Sequence, residues 1–196
     1  YPSRNQMAIG EVTEILGDIN DIGVDTLSIV RSYGLTEVFP AEVVKEAEKV
    51  AVEPTAKDFE GRTDFRNELT FTIDGEDARD FDDAISLTKD KSDYLLKVHI
   101  ADVSHYVKQG GEIDKEAFNR ATSVYFPDMV LPMLPESLSN NVCSLNPNVD
   151  RLTLSVVTRF DEKGNIKDYE IVNGVINSNY RMTYTKVAKI FEGDKA

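Results

Sequence analysis

Apolar and polar residues alternate with a period of two in five segments of this chain, and this pattern limits the fold more than any other feature. The segments are NELTFTI from Asn67, DAISL from Asp83, YLLKVHIADV from Tyr94, LTLSVVTRF from Leu152 and IKDYEIVNGVI from Ile166. Such alternation sends successive side chains to opposite faces of a strand. The last two segments flank the turn sequence DEKGN, which predicts a β-hairpin. A mainly antiparallel sheet is therefore expected.

The alternation also predicts which face of the sheet is buried. The apolar residues expected to face the core are Leu69, Phe71, Ile73, Ile85, Leu87, Leu96, Val98 and Ile100. His99 falls on the polar side, and we expect an ordinary surface or hydrogen-bonding histidine there. Asp102 shares the parity of the apolar side at a strand end. Because a buried carboxylate needs partners, its expected role is structural hydrogen bonding.

Helical spacing and stop signals predict three helices. FPAEVVKEAEKVAVEP, from Phe39 to Pro54, has apolar residues at helical intervals and a proline at its end. A second helix is expected over about 113–124 and a short third over about 185–191. The four prolines between residues 125 and 147 predict a structured loop with short helical turns.

The opening of the chain differs in character. MAIGEVTEILG (Met7–Gly17) and VDTLSIV (Val24–Val30) are predicted strands, punctuated by glycines. We therefore expect an α+β fold in which residues 1–52 hold the last part of a small β-barrel and a helix. Residues 53–66 are polar and predict an irregular linker. Residues 67–196 form the second domain.

Composition and charge exclude several classes of protein. The hydrophobic fraction of 41% over 196 residues supports a packed core. The chain has neither an apolar run of about 18 residues, which a membrane span needs, nor a secretory signal at its start. Cys143 is the only cysteine, which predicts no disulfide and a cytoplasmic location. The net charge of −13 argues against broad adhesion to nucleic acid, although a metal-dependent nucleic-acid enzyme stays open.

The most unusual segment is TIDGEDARDFDDA (Thr72–Ala84), which carries six carboxylates and one arginine within ten residues. The carboxylates are those of Asp74, Glu76, Asp77, Asp80, Asp82 and Asp83. Hard divalent cations prefer such oxygen ligands, and a tight bend between the two strands brings the aspartates together. A solvated acidic loop is the alternative. A calcium EF-hand is excluded, because Arg79 and Ile85 occupy the positions that require glycine and glutamate.

At this point the sequence resembles a known family. TIDGEDARDFDDAISL is similar to the signature of the ribonuclease II/ribonuclease R family, at the start of its catalytic domain. VHIADVSHYV, TSVYFPDMVLPMLPESLSNNVCSLNPNVDRLTLSV and SNYRMTYTKV also resemble that family, in the same order. The likeness covers about residues 67–196 and is strongest to the ribonuclease R branch. The opening through FPAEVV resembles the end of the preceding cold-shock-like domain.

The resemblance implies a processive 3′→5′ hydrolytic exoribonuclease that acts on single-stranded RNA and releases nucleoside 5′-monophosphates. It implies a Mg²⁺ site, with Mn²⁺ as the alternative ion, held by the catalytic residues Asp74, Asp80, Asp82 and Asp83. Tyr125 and Tyr184 correspond to tyrosines that contact the RNA. Glu76 and Asp77 lie outside the family set, which favours a solvated rim for both. Phe118 and Phe126 are predicted to be core residues.

The family catalytic domain continues well past the length of this chain, with an arginine that binds the scissile phosphate. We therefore expect this segment alone to be weakly active or inactive. Two other functions stay open: a noncatalytic family member that binds RNA or protein, and an acidic cation-binding module.

Overall fold

The structure is a computed structural model that describes residues 9–193. It divides into two compact units, one of residues 9–38 and 124–131 and one of residues 39–123 and 132–193. The helices are α1 (Val24–Ser32), α2 (Ala41–Val50), α3 (Val103–Tyr106), α4 (Glu112–Arg120) and α5 (Tyr184–Phe191). The strands are β1 (Thr63–Asp64), β2 (Thr70–Asp74), β3 (Asp83–Asp90), β4 (Asp93–Ala101), β5 (Val124–Tyr125), β6 (Val130–Leu131), β7 (Asp150–Phe160), β8 (Ile166–Asn177) and β9 (Tyr180–Thr183). The predicted α+β class is confirmed.

The larger unit is built on a seven-stranded sheet with the order β1-β8-β7-β4-β3-β2-β9. The neighbours are antiparallel except at its two edges, where β1 runs parallel to β8 and β9 runs parallel to β2. All five predicted strands are present. The predicted hairpin joins β7 to β8, and the Asp161 N–H donates to the Asn165 carbonyl oxygen across its turn.

The faces of this sheet are the reverse of those predicted. The buried residues of the sheet include Thr70, Thr72, Ser86, Lys97 and His99. Phe65 packs on the same side, with its ring centroid 5.2 Å from that of His99. The exposed residues include large apolar side chains on the other face, namely Leu69, Leu87, Ile100, Leu154 and Ile171. Alternation located the strands correctly, but the buried face is the polar one.

A hydrogen-bond network explains how the polar face is buried. His99 bonds through Nε2 to the Ser86 hydroxyl at 3.1 Å and through Nδ1 to the Ser155 hydroxyl at 2.8 Å. The Lys97 ammonium donates to the Glu68 carboxylate at 2.6 Å. His99 and Lys97 thus have partners, which remove most of the cost of burying them, whereas the buried Thr72 hydroxyl has none among the described residues. The expectation of a hydrogen-bonded His99 is confirmed, whereas a surface position is wrong.

Helices α2 and α4 pack against each other in the larger unit. Val43, Ala47 and Ile113 are buried and belong to the same core cluster. The Glu46 carboxylate also accepts from the backbone N–H of Glu112, at 2.6 Å, and satisfies a donor at the start of α4. The predicted helix from Phe39 is thus confirmed as α2. The second predicted helix is α4, and it ends at Arg120, earlier than expected.

Residues 53–66, expected to form an irregular linker, contain a 3₁₀ helix at Ala56–Phe59 and strand β1. The Arg62 guanidinium lies 2.6 Å from the Asp102 carboxylate in a largely buried ion pair. Asp102 also accepts from the Ser104 hydroxyl and from the backbone N–H of His105, at the start of α3. The structural role expected of Asp102 is confirmed, because its partners hold this segment on the sheet.

The smaller unit differs from the prediction for the opening of the chain. Val24–Val30, the second predicted strand, lies in helix α1, so that prediction is wrong. Met7 and Ala8 of the first predicted strand lie outside the described residues, and residues 9–17 have neither helix nor strand. Within this unit, β5 and β6 form a hairpin, and the Thr26 hydroxyl donates to the Asp128 carboxylate at 3.0 Å.

Of the remaining predictions, some are confirmed and one is wrong. The short C-terminal helix is confirmed as α5, and a π-helix spans Leu138–Val142 in the proline-rich segment. Phe118 was predicted to be a core residue, but 86% of it is exposed, so this prediction is wrong. Phe126 is half-buried. Among residues 9–193, no helix is long and apolar enough to cross a membrane.

Candidate active site

The aspartates implied by the resemblance lie on one connection, which we call the acidic loop, from Asp74 to Asp83. Asp74 is the last residue of β2, and Asp83 is the first residue of β3. Asp80 and Asp82 lie between them. Because β2 and β3 are antiparallel neighbours, the last residue of β2 and the first residue of β3 lie at the same end of these two strands. The structure therefore brings all four aspartates into one region.

A buried serine holds the second half of the acidic loop in place. The Ser144 hydroxyl donates to the Arg79 carbonyl oxygen at 2.8 Å and accepts from the Phe81 N–H at 3.0 Å. The Leu145 N–H donates to the Phe81 carbonyl oxygen at 2.8 Å. Phe81 itself is buried in the core. Bonds on both sides of Phe81 thus fix the backbone that carries Asp80, Asp82 and Asp83.

Arg181 on β9 holds the first half of the loop. Its Nη2 atom lies 2.8 Å from the Gly75 carbonyl oxygen and 3.4 Å from that of Ala78, and it also contacts the Glu76 carbonyl oxygen. The guanidinium packs over the Phe81 ring at 5.3 Å. A single cation therefore gathers three backbone carbonyls of an acidic segment. The negative ends of these carbonyl dipoles are stabilised by the positive charge.

The carboxylates of the loop affect one another electrostatically. Burial raises the pKa of Asp74, and the negative charges of Asp83 and Asp80 raise it further. The pKa of Asp82 is raised in the same direction by partial loss of hydration and then by the charges of Asp80, Asp83 and Asp74, although the residue keeps an exposed surface. Raised pKa values in neighbouring acids are typical of functional sites. A bound cation would relieve this repulsion.

The donor set fits a hard divalent cation, although the side chains do not converge on one point. One carboxylate oxygen of Asp74, Oδ2, is buried and has no hydrogen-bond partner. Such an orphaned anionic oxygen is chemically suited to a metal ion. Within residues 9–193, no three acidic, histidine or cysteine side chains are yet grouped as metal ligands. Metal binding at the loop therefore requires its side chains to turn.

The two tyrosines implied by the resemblance occupy different units. Tyr184 begins α5 in the larger unit and is 66% exposed. It directly follows Thr183, which pairs with Asp74 in the parallel register of β9 and β2. Tyr125 lies on β5 in the smaller unit and is 64% exposed. Both rings thus present surface that a ligand can contact.

Glu76 and Asp77 are exposed, in agreement with the solvated rim predicted for them. Hydrogen bonds from Thr183 and Thr185 lower the pKa of Glu76. Ser144 and Arg181, which hold the loop, were not predicted to belong to the site. Arg181 follows the apolar-polar pattern of its strand, and only the parallel pairing of β9 with β2 brings it to the loop. No local signal in the sequence identifies either residue.

Comparison with known proteins gives matches over both parts of the chain. The RNB domain matches residues 62–196, and the cold shock domain matches residues 1–40. Ribonuclease R 1 of Lactococcus lactis is 47% identical over 199 residues, which cover 100% of this chain and 24% of that protein. A solved structure, Mycoplasma genitalium RNase R in complex with ribose-methylated single-stranded RNA, superposes with a TM-score of 0.88 at 31% identity. It is matched over 94% of this chain and 29% of the solved one.

Yeast Ssd1, described as a pseudonuclease, superposes with a TM-score of 0.78 at 24% identity, over 92% of this chain and 23% of that chain. At that identity the likeness shows the fold alone. The chain spans about a quarter of the length of the relatives that it matches. Its fold thus occurs both in ribonucleases and in a protein described as a pseudonuclease.

Proposed function

The chain belongs to the RNB domain family, and from that premise we propose that the whole protein is a 3′→5′ exoribonuclease. It would hydrolyse single-stranded RNA from the 3′ end and release nucleoside 5′-monophosphates. The RNB domain match over residues 62–196 and the Lactococcus lactis and Mycoplasma genitalium relatives support this proposal. The lone buried thiol of Cys143 is compatible with a reducing compartment, so a cytoplasmic location forms part of it.

The observation that carries the proposal is the electrostatic coupling of the aspartates in an anchored loop. Asp74, Asp80, Asp82 and Asp83 would hold Mg²⁺ or Mn²⁺, since all four supply the hard oxygen ligands that these ions prefer. When bound, such an ion supplies positive charge next to a phosphodiester on which negative charge develops. Ser144 and Arg181 fix the loop backbone, so the main chain that carries the carboxylates is in place before RNA arrives and only the side chains have to turn.

The tyrosines would contact the RNA. Stacking of an exposed aromatic ring on a base or ribose tolerates any sequence, which suits an enzyme that degrades RNA generally. Tyr184 is adjacent to the residue that pairs with Asp74, which supports a contact close to the reacting phosphate. We assign Tyr125 the same kind of contact on the basis of its family correspondence and its exposure.

Degradation of a labelled oligonucleotide tests this function. The whole protein is incubated with 5′-labelled oligo(A) and Mg²⁺, and products are resolved by chromatography. We expect shortening from the 3′ end with release of AMP, and loss of more than about a thousandfold in turnover for Asp82→Asn. Asp77→Asn is the matched control, because Asp77 is an exposed aspartate of the same loop outside the proposed ligand set.

Three outcomes would contradict the proposal. Wild-type protein that binds oligo(A) but never releases AMP would indicate a noncatalytic RNA-binding member of the family. If Asp82→Asn were as active as the control Asp77→Asn, the acidic loop would take no part in RNA hydrolysis. A protein that binds Mg²⁺ without affinity for RNA would instead be an acidic cation-binding module.

A further inference from the structure

A cavity of about 550 Å³ lies beside the acidic loop and has no role in the function proposed above. One wall is the loop itself, with Ala78, Arg79 and Phe81, and the opposite wall is formed by residues 136–146. Arg181 completes the lining. None of the four aspartates and neither tyrosine lines this cavity. It therefore shares the loop with the candidate metal site but uses other side chains.

Hydrogen-bond donors without acceptors collect around this cavity. The Arg79 guanidinium makes neither a hydrogen bond nor an ion pair with another described residue, and the buried Nε of Arg181 has no partner either. The amide oxygens of Asn140 and Asn141 accept from Ser139 and Arg151, while their amide nitrogens donate to no residue between 9 and 193. The donors of Arg79, Asn140 and Asn141 thus line one space without using their hydrogens inside the described part of the protein, whereas the Nε of Arg181 is shielded from it.

The charge of the lining differs from that of the chain. Two arginines face one carboxylate, that of Glu136, whereas the whole chain has a net charge of −13. Guanidinium and amide N–H groups bind phosphate oxygens strongly, because these oxygens are anionic acceptors. An anion rich in acceptors matches this lining better than a cation or an apolar ligand does.

The backbone at Arg79 is fixed while its side chain is not. Its carbonyl oxygen accepts from the Ser144 hydroxyl, so the start of the side chain is held at the rim of the cavity. The residue itself is exposed. A structural role would engage the guanidinium with a protein acceptor, and none of the described residues supplies one. The unengaged cation is therefore available to a ligand.

We propose that this cavity binds a phosphate of RNA, with Arg79 as its charged partner and the amides of Asn140 and Asn141 as neutral donors. The inference rests on the exoribonuclease function proposed above and adds a phosphate subsite to it. The phosphate is either a backbone phosphodiester of the bound substrate or the monophosphate of the released nucleotide. Phosphate contacts hold a nucleic acid in position without reading its sequence.

Binding of RNA without hydrolysis tests the subsite. Anisotropy of 5′-fluorescein oligo(A) is measured with the whole protein in EDTA, over 50–300 mM KCl. Loss of one phosphate contact on a single strand lowers the slope of log Kd against log salt by about 0.7. We expect Arg79→Gln to weaken binding about tenfold and to lower the slope by that amount. Asn140→Ala should weaken binding and keep the slope, because an amide carries no charge.

Lys163→Gln is the matched control for charge. Lys163 is an exposed residue in the turn between β7 and β8, at the end of the sheet opposite the acidic loop. Its replacement also removes one positive charge but should leave both affinity and slope unchanged. Inhibition by AMP separates the two sources of phosphate. Arg79→Gln weakens AMP inhibition if the cavity takes the product, and leaves it unchanged if the cavity takes a backbone phosphodiester.

An affinity for oligo(A) and for AMP within twofold of wild type in Arg79→Gln, with the same salt slope, overturns the subsite. If the wild-type protein nevertheless releases AMP in Mg²⁺, the exoribonuclease function is retained and only the phosphate subsite is lost. If Arg79→Gln weakens RNA binding but no variant or wild type hydrolyses RNA, the subsite stands and the catalytic function fails. A wild-type protein that binds neither oligo(A) nor AMP overturns both.

Discussion

The Nη2 atom of Arg181 lies 2.8 Å from the carbonyl oxygen of Gly75. This contact joins the edge strand β9 to the first turn of the acidic loop, and the same atom reaches two further carbonyls of that loop. The loop thus depends on a residue that follows Gly75 by 106 positions. Four carboxylates that repel one another are held on a backbone whose carbonyls are tied to a cation.

Replacement of Arg181 by methionine should disorder the acidic loop. Methionine keeps much of the packing on Phe81 but donates no hydrogen bond, so three loop carbonyls lose this donor, and only that of Gly75 keeps another among the described residues, the Ala78 N–H. We expect the free energy of unfolding to fall by about 2 kcal/mol and turnover of oligo(A) to fall by more than about tenfold. Urea unfolding and steady-state kinetics of the whole protein measure the two effects.

Arg159→Met is the control for this prediction. Arg159 lies on β7, and its partly exposed ion pairs with Asp90, Asp93 and Asp168 lie at the end of the sheet away from the loop. Surface ion pairs contribute about 0–1 kcal/mol, so stability should change little and turnover should not change. Equal losses of turnover in the two variants would show that Arg181 has no particular hold on the loop.

The buried His99 should make the fold sensitive to acid. Burial, and then the positive charge of Lys97, lower the pKa of His99 to about 4, against an ordinary value of 6.5. The unfolded chain therefore takes up a proton at a higher pH than the folded one. The stability contributed by neutral His99 is complete above pH 6.5 and is lost as pH falls toward 4. The loss amounts to about 3 kcal/mol.

Urea unfolding at pH 7 and pH 5 measures this effect. His99→Gln removes the titrating group, so we expect the variant to be less stable than wild type at pH 7 but to lose less stability between the two pH values. His105→Gln removes the other histidine of the chain, which lies outside this network, and is the control for loss of a histidine. An identical pH dependence in wild type and His99→Gln would show that His99 is not the acid-sensitive group.

The sheet buries the face that was predicted to be exposed, and this error shows what the sequence pattern alone cannot predict. Period-two alternation located β2, β3 and β4 correctly, because it reports backbone geometry. It chose the wrong face, because Ser86, His99 and Ser155 satisfy one another and can be buried as a group. Complementary partners from strands β3, β4 and β7 are needed for this network, and local patterns carry no information about them.

The candidate site was predicted unevenly for a related reason. Asp74 and Asp83 stand out in the sequence, since clustered carboxylates at strand ends are a local pattern. Ser144 and Arg181 contact the acidic loop only through tertiary structure and carry no such pattern. The helix α1 in place of a predicted strand has a similar origin, because Val24–Val30 consists of residues found in both kinds of element. Short apolar segments of this kind are ambiguous by spacing alone.

A methyl group at Gly174 should disturb the buried polar face directly. An added Cβ there would lie 2.8 Å from the Thr153 hydroxyl oxygen, 2.9 Å from that of Ser155 and 3.1 Å from the Phe65 ring. All three neighbours are buried and packed, so none can yield freely. We expect Gly174→Ala to lower the free energy of unfolding by about 1–3 kcal/mol, measured by urea unfolding.

Gly164→Ser is a contrasting variant for this prediction. An added Cβ at Gly164 meets no atom within 4 Å, although its φ of +82° strains any other residue. The cost there should be about 1 kcal/mol and should leave the pH dependence attributed to His99 unchanged. Gly174→Ala should alter that dependence, because Ser155 is a partner of His99. A fully wild-type stability for Gly174→Ala would contradict the close packing of Phe65 on β8.

Neutralising Asp82 should stabilise the fold while it removes the proposed activity. The pKa of Asp82 is raised, so its charged form is the less favourable one in the folded state. A carboxylate of this kind lowers stability once pH rises from its ordinary pKa through its raised one. At pH 7, Asp82→Asn should therefore raise the free energy of unfolding slightly, by less than about 1 kcal/mol, because solvent screens the repulsion on this exposed residue. The gain should shrink as pH falls toward 4, because the wild-type carboxyl then becomes neutral as well.

Asp77→Asn, in which an exposed carboxylate of the same loop is replaced, should show no comparable gain. Urea unfolding of both variants at pH 7 and pH 4 decides the matter, and equal stabilities at pH 7 would show that the repulsion among the aspartates carries no cost for folding.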